Sequence, residues 1–351
     1  MDLPTFNRQW RVARRPLDGE PVGDHNFDLV SSPMPVPEEG EILVQVILLG
    51  TSPAQRSYIT GGVGMHSKLG IGDPMRGRGL GIVRHSRHPA YREGEIVIGS
   101  LGWQDYALLR PDGTTGTIFD IYKVDNPVWP LRLHLGTLGA AGMTAYFGLT
   151  KVGQVQPGDT VLVSAAAGGV GSAAVQIARA LGGRVIGIAG SDDKCAWLRD
   201  TLKADASINY RSADLAGRLR ELAPDGINVY FDNVGGTILN TVLDHLALRA
   251  RVIICGLIAT DYAPGERYGP PNYTRLLRYR SRMEGFFVQD HAAEFPVAER
   301  QLRAWYDQGV LLPIEDPSQG LETMPAALGS LFAGGNRGVR LCQVAPDPSP
   351  G

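Results

Sequence analysis

The sequence predicts an α/β protein of two domains, one all-β and the other built on a doubly wound parallel sheet. Three observations support this fold class. The chain has 351 residues, more than one hydrophobic core usually serves. Its first third contains short apolar runs separated by glycine and proline, and from about residue 160 apolar strands alternate with helical segments.

The N-terminal third is predicted to form an all-β barrel or sandwich. Ile42 to Leu49 is an apolar run with the β-branched content of a buried strand. The segments that continue this pattern are RGLGIVRHS, EGEIVIGSLGW and QDYALL. Short strands at this spacing, with few helical periods between them, are typical of a compact all-β domain.

The pattern changes near Gly136, where helical spacing begins and leads into the parallel sheet. The predicted strands are VLVSAA (161–166), RVIGIAG, SINY, INVYFDNV, RVIICGLI and MEGFFVQ. Helices follow the first four, a loop follows the fifth, and an Arg- and Tyr-rich helix precedes the sixth. Near-continuous apolar strands are typical of a doubly wound sheet buried on both faces. The last strand, GVRLCQVAP, lacks a partner there, so we expect it to return to the N-terminal domain.

Composition and charge argue against several classes of function. The chain is 43% hydrophobic and 20% charged, and its net charge of −2 supplies no basic field for nucleic acid or an anionic membrane. No apolar run has the length of a signal peptide or a membrane span, so a cytoplasmic protein is expected. The three cysteines form no CxxC pair and the histidines show no ligand spacing, so no bound metal is expected.

One glycine-rich turn carries the strongest functional signal. The segment SAAAGGVGSAAVQIA leads from the first parallel strand into a helix and contains Ala166-x-Gly168-x-x-Gly171, a GxGxxG motif with alanine in the first position. Gly168 would let a diphosphate approach the backbone, and Gly171 would let helix and strand pack closely. Free N–H groups at the helix start would attract the anion. The alternative is a tight turn that binds nothing.

The end of the second parallel strand predicts which dinucleotide binds. NAD sites usually have an acidic residue there, whereas this strand ends in Gly190 and Ser191, and Lys194 follows in the next helix. A lysine neutralises a 2′-phosphate, so NADP(H) is the predicted cofactor. Asp192 and Asp193 argue the other way, although acidic residues also suit a helix start. For Lys194 the alternative is a solvated helix residue.

Motifs along nearly the whole chain resemble one known family. They are RRPLDGEP, FDLVSSPMPVPEEGEILV, PMRGRGLGIV, GMTAYFGL, AAAGGVGSAAVQIA, IAGSDDKC, DGINVYFDNVGG, ICGLI, MEGFFV and FAGGNRGVRL. The chain resembles the zinc-independent medium-chain dehydrogenase/reductases. Among them it is most similar to the NADPH-dependent alkenal/one reductases, the group of leukotriene B4 12-hydroxydehydrogenase, prostaglandin reductase and curcumin reductase.

The resemblance implies both an architecture and an activity. A GroES-like β-barrel of residues 1–137 and 313–351, completed by the C-terminal strand, would accompany a Rossmann domain of residues 138–312. Cofactor and substrate would lie in the cleft between the two domains. The implied activity is metal-free, NADP(H)-dependent reduction of the C=C bond of a small enone or enal. Relatives are often dimers, so a homodimer is expected.

The resemblance also implies cofactor contacts, residue by residue. In addition to Gly168, the residues that the resemblance assigns to the diphosphate are Gly169, Val170, Gly171 and Ser172. Those assigned to the adenosine phosphate region are Lys194 and Tyr210. Those assigned to the ribose and nicotinamide are Asn233, Cys255, Gly256, Leu257, Ile258, Phe286, Phe287, Val288 and Asn336. Asn233, Cys255 and Phe287 also fall at the carboxyl ends of predicted strands, where ligands of such sheets bind. A turn amide and core packing are the alternatives for these three.

The chain departs from the family pattern near the proton donor and the substrate pocket. The usual CGxISxY segment reads CGLIATDY, so Asp261 takes the place of the tyrosine and Tyr262 follows it. Tyr262 is the predicted donor, because tyrosine keeps its proton at neutral pH, and an exposed loop tyrosine is the alternative. The usual DPYMRG segment reads SPAQRSY, with Ala54 at the aromatic position and Tyr58 as the predicted substrate contact.

The missing zinc ligands favour an activated double bond over an alcohol as substrate, because alcohol oxidation without a Lewis acid lacks the usual stabilisation of an alkoxide. Hydride addition to the β-carbon would leave an enolate, which needs a hydrogen-bond donor and then a proton at the α-carbon. Two alternatives stay open. One is a zinc-independent quinone reductase, and the other is a non-catalytic NADPH-binding sensor.

Overall fold

A computed structural model describes residues 3–17, 19–61, 67–111, 120–261 and 269–348 of the chain. The chain divides into two units, each with its own core. Unit 1 comprises Met1–Gly136, Glu315–Gly335 and Arg340–Gly351, and unit 2 comprises Thr137–Ile314 and Asn336–Val339. The segment Asn336–Val339 belongs with unit 2, whereas the sequence assigned everything after residue 312 to the barrel.

Strands and helices follow in this order along the chain. The strands are β1 (Phe6–Val12), β2 (Phe27–Pro33), β3 (Ile42–Gly50), β4 (Arg78–Ser86), β5 (Ile96–Ser100), β6 (Tyr106–Leu109), β7 (Tyr122–Lys123), β8 (Thr160–Val163), β9 (Arg184–Ala189), β10 (Ala206–Asn209), β11 (Ile227–Asp232), β12 (Leu246–Ile254), β13 (Arg282–Gly285), β14 (Glu315–Gln319) and β15 (Val339–Gln343). The α-helices are α1 (Gln55–Thr60), α2 (Ala140–Phe147), α3 (Gly169–Ala180), α4 (Asp192–Asp200), α5 (Leu215–Leu222), α6 (Gly236–Leu243), α7 (Ile258–Asp261), α8 (Arg275–Tyr279), α9 (Phe295–Asp307) and α10 (Met324–Ala333). A π-helical turn, Gly148–Val152, continues α2, and the 3-10 helices are Asp24–Asn26, Leu131–His134, Val288–Glu294 and Leu321–Thr323.

Unit 1 contains a two-stranded sheet of β1 and β2 and a larger sheet in the order β14-β15-β3-β4-β5-β7, with β6 also paired to β3. β3 is buried along almost its whole length, and its backbone is paired along both edges, with β4 on one and with β6 and β15 on the other. The C-terminal strand β15 thus pairs antiparallel with β3, which confirms the expected return of the last strand to this domain. The core of the unit includes Trp103, which is fully buried.

Unit 2 contains a parallel sheet in the order β10-β9-β8-β11-β12-β13. Counted along the chain this is the order 3-2-1-4-5-6 of dinucleotide-binding folds, which confirms the predicted doubly wound sheet. Its central strands are apolar on both faces because helices cover both, and Leu162, Ile186 and Tyr230 belong to one cluster of buried side chains. The order reverses between β8 and β11, so their carboxyl ends form the expected ligand-binding edge.

Three predicted boundaries are corrected by the structure. The first parallel strand ends at Val163 rather than residue 166, because the backbone turns at Ala165, which has φ of 47°. A short helix, α7, takes the place of the loop expected after the fifth strand. The sixth strand ends at Gly285, because the strand paired with it, β12, ends at Ile254, which is opposite Gly285. No helix in the described ranges combines the length and apolarity needed to cross a membrane.

Removing packing from β15 should destabilise unit 1. Leu341 is fully buried and lies opposite Gly50 of β3, so Leu341→Ala should lower the free energy of unfolding by about 2–5 kcal/mol in chemical denaturation. Gln343→Ala, on the same strand, is the matched control, because its side chain is only half-buried and should cost less than about 1 kcal/mol. An equal loss of unfolding free energy in the two variants would contradict the role of buried β15 side chains in stabilising unit 1.

Candidate functional site

The glycine-rich turn joins β8 to α3 at the carboxyl edge of the parallel sheet. Ser164 N donates to Phe231 O of β11 at 3.1 Å. Ala166 N donates to Ile188 O of β9 at 2.9 Å, so the turn is tied to both neighbours of β8. α3 then begins at Gly169. The first N–H groups of an α-helix have no acceptor within the helix, and this edge therefore presents donors suited to an anion.

Two close contacts explain the residue types of this turn. A Cβ on Gly171 would lie 2.2 Å from the carbonyl oxygen of Ala165, so only glycine lets α3 pack directly on the turn. Ala166, which replaces the first glycine of the motif, is fully buried. Its methyl group is accommodated because β9 carries Gly187 beside it, where a Cβ would lie only 3.1 Å away. The alanine is thus matched by a glycine on the next strand.

The segment Asn336–Val339 is hydrogen-bonded to the turn between β8 and α3. Gly338 N donates to Ala167 O at 2.8 Å. Gly338 has φ of 73°, and a Cβ there would lie 2.1 Å from Ile314 O, so glycine is required at this position. The buried side chain of Asn336 donates from Nδ2 to Gly338 O at 2.8 Å. The structure therefore brings Asn336 beside the glycine turn. Its side-chain amide stabilises the backbone of the segment Asn336–Val339.

Lys194 lies in the first turn of α4, and its ammonium group reaches this segment. Nζ of Lys194 donates to the carbonyl oxygen of Asn336 at 2.7 Å. The contact fixes a positive charge beside the turn at the carboxyl end of β9. Two residues that are 142 positions apart in sequence are thus brought together as parts of one edge.

The two acidic residues before Lys194 are both engaged by neighbours. Asp193 forms an ion pair with Arg337 at 2.5 Å, and hydrogen bonds from Ser191 and Arg337 lower the pKa of its carboxyl group. Asp192 accepts a hydrogen bond from Nδ2 of Asn209 at 2.8 Å. The ion pair with Arg337 therefore reduces the repulsion that Asp193 would exert on an anionic ligand, and Asp192 is oriented by Asn209.

Tyr210 follows β10 directly and is 40% exposed. Its hydroxyl accepts a hydrogen bond from Nε of Arg211 at 3.3 Å, and the Arg211 guanidinium lies 5.7 Å from the centre of its ring. Both side chains cover Gly190. Sequence reasoning named Tyr210 but missed Arg211. The signal was available, since an arginine near the second strand is a known partner of a 2′-phosphate, but its position depends on how β10 ends beside β9.

A buried polar network shapes the turn after β11. Asp232 is fully buried, and its Oδ1 accepts hydrogen bonds from Tyr230 Oη (2.8 Å) and Ser164 Oγ (3.1 Å). The same oxygen accepts from the backbone N–H groups of Val234 and Gly235, each at 3.0 Å. Burial raises the pKa of Asp232, and these hydrogen bonds oppose that rise. The sequence analysis did not identify this network.

Asn233 is oriented by the same network. Its backbone N donates to Ser164 Oγ at 2.9 Å, and its Nδ2 donates to Ser164 O at 2.7 Å. These bonds join the end of β11 to the end of β8 at the point where the strand order reverses. Asn233 is thus a buried turn amide, the alternative weighed from the sequence, and its position is also that expected of a ligand contact.

The predicted residues after β12 form a short connection into α7. The backbone N–H groups of Cys255 and Gly256 donate to Asp232 O at 2.9 and 3.1 Å, and Leu257 leads to Ile258, the first residue of α7. Burial and the nearby charge of Asp232 raise the pKa of the Cys255 thiol to about 12. A raised pKa keeps the thiol protonated at neutral pH, the form of cysteine that reacts least as a nucleophile.

Phe286, Phe287 and Val288 lie beyond the sixth strand and not within it, because β13 ends at Gly285. Val288 is buried and begins a 3-10 helix, whereas Phe287 is 53% exposed. An exposed aromatic side chain at the carboxyl edge of the sheet is available to a ligand, so core packing does not account for Phe287.

In unit 1, Tyr58 lies in α1 and is only 8% exposed. It packs in the hydrophobic cluster of that unit, and burial raises the pKa of its hydroxyl. Packing is therefore an alternative explanation for Tyr58, and the substrate contact stays a prediction. Ala54, by contrast, is exposed at the start of α1. The predicted proton donor, Tyr262, lies outside the described residues.

Known proteins resemble this chain in sequence and in structure. Two family signatures match, described as the N-terminal domain of oxidoreductase over residues 8–116 and as zinc-binding dehydrogenase over residues 169–303. A putative NADP-dependent oxidoreductase of Bacillus subtilis, YfmJ, is 37% identical over 351 residues, covering 99% of this chain and 100% of the relative. The NADPH-dependent curcumin reductase of Escherichia coli is 34% identical over 350 residues, covering 97% and 98%.

The chain belongs to the medium-chain dehydrogenase/reductases, in the alkenal/one reductase subfamily. As in this family, its cofactor is NADP(H) and it is an oxidoreductase. The crystal structure of CurA from Vibrio vulnificus in complex with NADPH is similar with a TM-score of 0.89 and 34% identity, covering 97% of this chain and 99% of that one. Among the described residues of this reductase, no group of three His, Cys, Asp or Glu side chains is placed to hold a metal ion.

Filling the space at Gly171 should disturb the turn. Gly171→Ala places a methyl group 2.2 Å from Ala165 O, so it should lower the free energy of unfolding by about 1–3 kcal/mol and weaken NADP⁺ binding in calorimetric titration. Gly269→Ala is the matched control, because a Cβ there would meet no atom of the described residues within 4 Å. Unchanged stability and unchanged NADP⁺ affinity in Gly171→Ala would show that the close contact is not required.

Proposed function

We propose that this protein reduces the C=C bond of an α,β-unsaturated carbonyl compound with NADPH. The observation that carries the proposal is the full-length similarity to a reductase named for curcumin, a conjugated enone, combined with the anion-binding edge of the parallel sheet. The similarity covers both units of this chain, so it includes the unit that holds the dinucleotide and the unit expected to contact the substrate.

The residues of unit 2 fit NADP(H) in three regions. The diphosphate would be held by the backbone of Gly168 to Ser172, where Gly171 permits the close packing of the helix start. The 2′-phosphate would be held by Lys194 at the end of β9, where both neighbouring acids are already engaged. The nicotinamide would be held by the turns after β11, β12 and β13.

Bound NADPH supplies a hydride from its nicotinamide, which adds to the β-carbon of the enone. The protein must orient the two reactants and stabilise the negative charge that develops on the carbonyl oxygen. Tyr262 is proposed as the hydrogen-bond donor to that oxygen, since a tyrosine hydroxyl stays protonated at neutral pH. A proton then reaches the α-carbon, and the products are the saturated carbonyl compound and NADP⁺.

The substrate class is tested by NADPH consumption with alkenals, cyclic enones, aryl enones and quinones. Turnover of enones or enals with a saturated carbonyl product supports the proposal. Reduction of 1,4-naphthoquinone but of no alkenal or enone would favour the quinone reductase instead. Tight NADPH binding with no consumption against any compound would favour a sensor. A cytoplasmic homodimer remains part of the proposal, and sedimentation of the purified protein tests the dimer.

Lys194→Ala should raise the KM for NADPH by about tenfold or more and leave the KM for NADH nearly unchanged. The variant removes one charge partner of the 2′-phosphate, which NADH lacks. Steady-state kinetics with both cofactors measure the effect. Lys203→Ala is the control, because Lys203 follows the same helix and its Nζ donates to the local Asp200 O. Equal changes for NADPH and NADH would remove Lys194 from cofactor selection.

Tyr262→Phe should lower kcat by about a hundredfold, the usual contribution of a proton or hydrogen-bond donor, with little change in the KM for NADPH. Initial rates at saturating NADPH measure it. Tyr273→Phe is the control, because the Tyr273 side chain is 62% exposed on the same unit. An unchanged kcat in Tyr262→Phe would exclude Tyr262 from the mechanism.

A further inference from the structure

Position 190, at the carboxyl end of β9, is where an NAD-binding chain of this fold would carry an acidic side chain. In this chain the residue is Gly190. The space that its side chain would occupy is taken by side chains that follow the neighbouring strand β10. A Cβ on Gly190 would lie 3.3 Å from Cε1 of Tyr210, 3.4 Å from Nε of Arg211 and 3.5 Å from Cζ of Arg211. A guanidinium group therefore lies where other members of this fold class place a carboxylate.

The Arg211 side chain is held in that place by Tyr210. Nε donates to the tyrosine hydroxyl at 3.3 Å, and the guanidinium lies 5.7 Å from the ring centre, within range of a cation–π contact. The backbone N of Arg211 donates to Oδ1 of Asn209 at 3.1 Å, which fixes the turn after β10. An exposed arginine usually samples many rotamers, so this support reduces the entropy lost when it binds an anion.

The charges around Arg211 also favour an anion. Arg211 forms no ion pair with any described residue, whereas the nearby carboxylates of Asp193 and Asp192 have partners in Arg337 and Asn209. Lys194 supplies a second positive charge at the same strand end. A dianionic phosphate would meet two cations here, and the repulsion from Asp193 is reduced by its ion pair with Arg337.

We propose that Arg211 is a second binding residue for the 2′-phosphate of NADP(H) and selects NADP(H) over NAD(H) together with Lys194. The proposal rests on NADP(H) being the cofactor and extends it to a residue outside the glycine motif. Tyr210 then acts as a positioning residue, because its hydroxyl and ring hold the guanidinium.

The test is calorimetric titration of the full-length protein with NADP⁺ and with NAD⁺, which needs no turnover. Arg211→Ala should raise the Kd for NADP⁺ by about tenfold to a hundredfold, the worth of one charge-assisted hydrogen bond, and leave the Kd for NAD⁺ within about twofold. Arg211→Lys keeps the charge but loses the planar contact with Tyr210, so it should retain part of the NADP⁺ affinity. Tyr210→Phe should raise the Kd for NADP⁺ by a smaller factor than Arg211→Ala does.

Arg184→Ala is the matched control, because Arg184 is exposed at the amino end of β9, the opposite end from Gly190, and its loss changes the net charge equally. It should leave both dissociation constants unchanged. Arg211→Gln is a second neutral variant that maintains the test if Arg211→Ala fails to fold. A change of equal size for NADP⁺ and NAD⁺, or no change for either, overturns the proposal. The titration contains no enone, so its result stands whether or not the enone screen is positive.

Discussion

The direct packing of α3 on the turn after β8 is the constraint on which the rest of the site depends. Gly171 removes the side chain that would otherwise meet Ala165 O, and this brings the helix start to the carboxyl edge of the sheet. The turn then offers Ala167 O to Gly338 N, so a segment far away in sequence can be fixed against it. That segment in turn gives Lys194 its acceptor. A looser turn would lose the backbone donors that are proposed to bind the diphosphate, and also the support for Lys194, which is proposed to bind the 2′-phosphate.

The proposed basis of cofactor preference at this edge is how the charged side chains are paired, because a count of acidic and basic residues alone would point to the wrong cofactor. The segment SDDK contains more acid than base, yet Asp193 is ion-paired with Arg337, and Asp192 accepts a hydrogen bond from the amide of Asn209. Lys194 and Arg211 keep positive charge at the end of β9. Surface ion pairs contribute little to stability, about 0–1 kcal/mol, so these contacts matter more for the local potential than for the fold.

Local patterns in the sequence were sufficient to predict the alternating strands, the glycine turn and the separate last strand. A turn between a strand and a helix is encoded in neighbouring residues, and the lack of a parallel partner for β15 could be inferred from its position after the last helix. The end of the sixth strand could not be predicted, because MEGFFVQ stays apolar while pairing stops where β12 ends at Ile254. The position of Arg211 and the Asp232 network depend on contacts between strands that are distant in sequence. The local spacing of apolar residues contains no information about such contacts.

The central claim, that NADPH reduces a carbon–carbon double bond, is tested most directly by following the hydride. The protein should be given NADPH carrying deuterium at C4 of the nicotinamide, on the transferred face, together with an enone substrate in ordinary water, and the product examined by NMR. The account predicts one deuterium at the β-carbon and hydrogen from water at the α-carbon. Deuterium on a carbinol carbon, which would mean reduction of the carbonyl group, or a product without deuterium, would contradict it.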